Sequence, residues 1–84
     1  MRSKAVAIRD GVEIAIWMTG DEEFRASGRK KAARAQAELL VAEYKAIRPS
    51  PKERDAGAWA VMTRRMKAKG WQVIPVRAFR RLVH

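Results

Sequence analysis

The chain has 84 residues, 19 Lys and Arg against nine Asp and Glu, a formal net charge of +10 and no cysteine. One domain with a thin stability margin is expected at this size, and disulfides and thiolate metal sites are excluded. No apolar run approaches the length of a secretion signal or a membrane span, which predicts a cytoplasmic protein with no membrane partner.

The charge is lopsided. Residues 1–24 carry three basic and five acidic side chains, while residues 25–84 carry sixteen and four. Residues 64–84 hold seven basic side chains and no acid. Such an excess repels itself in a compact state, and a polyanion would relieve it.

Residues 4–9 and 12–18 are predicted as two strands around Asp10-Gly11. A three-residue turn over Arg9, Asp10 and Gly11 puts Val6, Ile8, Val12, Ile14 and Ile16 on one face. A two-residue Asp10-Gly11 turn scatters them over both faces, so the three-residue register is expected. Trp17 then points off the core face, beside Glu23, either covered by the C-terminal segment or exposed.

Residues 19–28 have two readings. Thr19-x-x-Glu22 is a capping box that would start a helix. Alternatively Thr19-Gly20-Asp21 is a turn and Glu22 to Ser27 a third strand, pairing Ile16 with Phe24 and Ile14 with Ala26. The strand is favoured because it places Gly28 between elements, sparing the roughly 1 kcal/mol that a mid-helix glycine costs.

A helix is predicted from Arg29 to Ile47, with Ala32, Ala35, Leu39, Leu40, Ala42, Tyr44, Ala46 and Ile47 on its buried side. Pro49 ends it. Ser50-Pro51-Lys52-Glu53 has the residues of a second capping box, opening a helix that runs to Lys69 and stops at Gly70. Ala58, Trp59, Met62 and Met66 form its apolar stripe. Trp71 to Ile74 is a short strand that Pro75 confines to a sheet edge or end. Residues 76–83 are either a short helix or a basic tail. The expected fold class is α+β: a small antiparallel β-meander of two or three N-terminal strands packed on an antiparallel pair of helices, followed by the short strand and basic tail.

No catalytic constellation is visible. His84, the sole histidine, is the last residue and has no cysteine or second histidine to work with. The Asp21, Glu22 and Glu23 cluster suits a turn or helix cap. No Gly-rich phosphate loop is present. A protein that is not an enzyme and needs no cofactor or metal is expected.

The informative feature is Arg29, Lys30 and Lys31 at the start of the first long helix, with Arg34 one turn on. A helix N-terminus is partially positive, so cations there are misplaced unless an anion docks. Residues 12–42 resemble the second half of a double-stranded-RNA-binding domain: meander strands, a glycine, then the helix start Lys30-Lys31-Ala32-Ala33-Arg34-Ala35-Gln36-Ala37. The resemblance implies that Lys30, Lys31 and Arg34 grip phosphates across a groove. The chain differs from that family in having no helix ahead of the first strand and a tight turn at Arg9-Asp10-Gly11 in place of a histidine-bearing loop.

The expected function is a basic nucleic-acid-binding accessory protein with weak sequence preference. Arg29, Lys30, Lys31 and Arg34 would hold phosphates of DNA or RNA, and Arg64, Arg65, Arg77, Arg80 and Arg81 would extend the footprint. The alternative is an inhibitor or adaptor of phage or mobile-element type that docks a basic face or a β edge on an acidic partner protein. A homodimer fits either reading, because the core is small and strand edges are free.

Overall fold

The computed structural model describes residues 4–45, 47, 50–53 and 57–83, the last four of these as backbone only. In chain order the elements are β1 (Lys4–Arg9), β2 (Val12–Met18), β3 (Phe24–Ser27), α1 (Lys31–Tyr44), a 3₁₀ turn (Pro51–Glu53), α2 (Ala58–Ala68), β4 (Gln72–Pro75) and α3 (Val76–Val83). The class is α+β, with one antiparallel sheet in the order β3-β2-β1-β4.

The first turn is shorter than expected. Asp10 and Gly11 both take positive φ, 52° and 77°. This mirror-image two-residue turn follows the natural twist of paired strands. It sets Arg9 opposite Val12, Ile8 opposite Glu13 and Val6 opposite Ala15. The expected three-residue register is therefore not formed, and the apolar residues do divide between the faces. Ala5, Ala7, Ile14 and Ile16 face the core helices and are buried. Val6, Ile8 and Ile74 lie on the opposite face, where α3 packs across β1 and β4. The outer face is covered over β1 and β4, so Val6, Ile8 and Ile74 do not have to be polar.

The second turn is longer than expected. The Thr19 amide donates to the Glu23 carbonyl (2.9 Å), the Glu22 amide to the Thr19 carbonyl (3.0 Å) and the Glu23 amide to Thr19 Oγ1 (3.1 Å). This closed loop, with Glu22 at φ 60°, delays the third strand to Phe24. Ile16 consequently pairs with Ala26 and Met18 with Phe24, a two-residue correction to the predicted partners.

The α1 helix is rotated from its predicted orientation. Its buried residues are Ala33, Ala37, Leu40 and Tyr44, while Ala32, Ala35, Leu39 and Ala42 face outward. Gly28 fixes this phase. A Cβ there would lie 2.4 Å from the Ala33 Cβ, so the strand end and the first helical turn are in direct contact. Ala46 lies outside the described residues, and Ile47 packs partly buried on the core.

The Ser50 to Glu53 segment forms half of its predicted box. The Glu53 carboxylate accepts from the Ser50 amide at 2.9 Å, but only a 3₁₀ turn follows. The second helix instead starts at Ala58, after Gly57. Met62 and Met66 are fully buried and Trp59 partly so, in line with the expected stripe; Val61 is buried as well. The helix ends in the expected glycine stop: the Gly70 amide donates to Lys67 O (3.1 Å) and the Trp71 amide to Met66 O (3.1 Å), with Gly70 at φ 91°. Trp71 is buried. Pro75 closes β4, an edge strand. Residues 76–83 are a helix and not a tail.

Arg9 ties the layers together. Its Nη1 donates to Lys69 O at 3.0 Å, its Nη2 to Gln36 Oε1 at 3.3 Å, and its guanidinium lies 4.2 Å over the Trp71 ring. One side chain thus joins β1, α1, the C-terminus of α2 and the entry to β4. Nearby, Phe24 and Tyr44 meet edge to face at 5.8 Å. The Tyr44 hydroxyl is buried and unpartnered among the described residues. Burial pushes its pKa up, opposed by the charges of Arg65 and Arg9. Among the described residues, no helix is long and apolar enough to cross a membrane.

Two stability predictions arise here. Gly28→Ala should cost about 1–3 kcal/mol, because backbone atoms must move, whereas Gly20→Ala, with open space around it, should be near neutral. Tyr44→Phe should leave stability unchanged or raise it by up to about 1 kcal/mol, since it deletes a polar group that has no partner. Thermal unfolding of the three variants checks both.

Candidate nucleic-acid interface

The meander ends at Ser27, and Gly28 turns the chain from the sheet into the helical layer. Lys30 is the last extended residue (φ −86°, ψ 158°), and the first helical bond runs from the Arg34 amide to Lys30 O at 2.9 Å. The amides of Lys31, Ala32 and Ala33 therefore have no acceptor within the helix. No acidic residue stands in this turn and no side chain caps it.

Arg29, Lys30, Lys31 and Arg34 are all exposed. Arg34 curls back, its Nη2 donating to Arg29 O at 3.2 Å, which draws its charge toward the helix start. Among the described residues none of the four forms an ion pair. Cations elsewhere do: Arg25 with Glu23 at 2.6 Å, Arg65 with Glu53 at 2.6 Å, and Lys69 with Glu43. Cations at a helix N-terminus are disfavoured by about 0.3–1 kcal/mol each, and a bound phosphate reverses the sign.

The other predicted phosphate-binding residues are dispersed. Arg64 is exposed on α2, in the helical layer on the core side of the sheet. Arg65 sits on the same helix, where its Nε and Nη2 grip both oxygens of Glu53 (3.3 and 2.6 Å). Arg77 is exposed in the first turn of α3, in the layer on the opposite face. The side chains of Arg80 and Arg81, and His84, lie outside the described residues. The helix start thus gathers four of the predicted cations, Arg29, Lys30, Lys31 and Arg34, while the others stand on α2 and α3.

Sequence reasoning does not find the groove beside that start. Arg29 and Lys30 line a cavity of about 550 Å³ together with Val6, Ala15 and Phe79. Its existence depends on β3 being shorter than β2 and on α3 folding back, neither of which the sequence pattern encodes locally. Trp17 lies off the core face, as expected, but its cross-strand neighbours are Lys4 and Arg25. Among the described residues no three His, Cys, Asp or Glu side chains gather to hold a metal.

The Glu53–Arg65 pair has a measurable signature. Hydrogen bonds from Arg65, then from Ser50, hold the Glu53 carboxyl down to about 2, from an ordinary value of 4.5. A depressed carboxyl stabilises the fold above its unfolded value and loses that contribution as pH falls through the folded one. The stability gap between the native chain and Glu53→Gln should be full above pH 4.5 and close toward pH 2, read from melting temperatures across that window.

No protein-family model, curated protein or solved structure matches the chain.

Proposed function

We propose that this chain is a small, non-enzymatic, nucleic-acid-binding accessory protein that holds phosphates at the start of α1 with weak sequence preference. The observation that carries this reading is the set of four exposed cations, Arg29, Lys30, Lys31 and Arg34, crowded on a helix N-terminus that lacks any acid. The free amides, the helix dipole and the side-chain charges all attract the same ligand, an anion. The net charge of +10 adds long-range attraction toward a polyanion. The resemblance of residues 12–42 to the meander-helix half of a double-stranded-RNA-binding domain assigns Lys30, Lys31 and Arg34 the same role. No cofactor or metal is required, and a cytoplasmic setting suits the absence of cysteine.

A second reading, an adaptor docking on another protein, has one observation in its favour. Leu39 is 63% exposed between Ala35 and Ala42 on the outward side of α1, the sort of surface a partner could cover.

The test is binding to random duplex and single-stranded DNA and RNA across a salt series. Affinity should fall steeply with salt. Replacing Lys30, Lys31 and Arg34 together by Glu should weaken binding by more than roughly tenfold and flatten the logarithmic salt slope by about 2–3, one for each phosphate no longer neutralised. Arg64→Glu, on a different helix, should do less. Salt-independent affinity, or no binding to any of these at moderate salt, would falsify the reading and favour the adaptor.

A further inference from the structure

The groove beside the cation cluster follows from strand lengths. β3 ends at Ser27, opposite Ala15, while β2 extends three residues further to Val12. Gly28 cannot continue alongside, because it is pressed against Ala33 and the chain drops there into the helical layer. A gap is left along the edge of β2 that β3 does not cover, lined from the outer face by Val6, Ala15 and Phe79 and from the core side by Ile14 and Ala33. Its size, about 550 Å³, is that of a small-ligand pocket.

The lining is of two kinds. Val6, Ala15 and Phe79 give it an apolar wall with an aromatic ring, and Ala15 is small and exposed, so the floor is open. Arg29 and Lys30 also line it, as does Glu13. A fitting occupant has a flat, weakly polar body and an anionic group attached to it. A duplex keeps its bases stacked inside and can touch only the rim. A single strand can splay a base out, lay it against an aromatic ring and leave its phosphate on the cations.

We propose that this groove receives one unstacked base of a single-stranded nucleic acid, its phosphate held by Arg29 and Lys30. The inference rests on the phosphate-binding reading and narrows it to a class of nucleic acid. Glu13 accepts from an exocyclic amino group of the base, as carboxylates do from cytosine. Trp17, two residues along β2 from Ala15 on the same face, lies about 7 Å further on, between Lys4 and Arg25 on the neighbouring strands.

The experiment uses the full chain, a labelled oligo(dC) strand and a labelled duplex, with anisotropy read at one salt concentration. Ala15→Leu fills the groove from an exposed position, and Phe79→Ala removes the ring. Each should weaken strand binding roughly tenfold, the effect of one stacked base, and leave duplex binding within about twofold. Should Phe79→Ala lose its fold by circular dichroism, Ala15→Leu carries the test. If the duplex binds while the strand does not, or if folded variants weaken neither probe or both equally, the groove proposal is overturned and the phosphate reading stands. If the native chain binds neither probe, both fail together.

Discussion

Two consecutive residues in the left-handed region, Asp10 and Gly11, set the architecture. A two-residue turn leaves the strands no freedom of register, and the side-chain period of two then assigns every β1 and β2 residue to a face. Small Ala5 and Ala7 come to lie under the helices, opposite the larger Ile14 and Ile16. Arg9 is sent to the same side, where it reaches Gln36, Lys69 and Trp71. Val6 and Ile8 are sent to the other, where α3 packs across β1. Had the turn been one residue longer, this division would be inverted and Arg9 would no longer link the layers.

The sequence pattern is informative where a local signal is strong. The Gly70 stop, the burial of Met62, Met66 and Trp71, the edge position of Pro75 and the break at Gly28 all follow from residue chemistry close at hand. The first turn departs from expectation because the pattern argument supposes that apolar residues need a single covered face. With α3 packed over β1 and β4, apolar residues can stand on both faces there, and nothing within β1 or β2 announces the third layer. The phase of α1 departs because alanine is spread all around that helix, so periodicity carries little weight there. The contact that decides it, Gly28 on Ala33, is a matter of distance and not of hydrophobicity.

The candidate site divides along the same line. The cation run is legible because it violates a helix-terminus rule that can be applied to a sequence alone. The groove beside it is not, since it is a space defined by three elements remote in sequence: β2, the 28–30 segment and α3. Charge alone groups Arg64, Arg65 and Arg77 with the cluster, yet Arg64 and Arg65 stand on another helix and Arg77 in another layer, and Arg65 is engaged by Glu53. Bulk charge counts all of these equally, whereas position distinguishes them.

The absence of a side chain at Gly28 has a mechanical consequence. With Gly28 in contact with Ala33, there is no compressible gap between the last strand of the meander and the first turn of the helix. Arg29 and Lys30 are carried on that junction, so they are mounted on a stiff corner and not on a swinging linker.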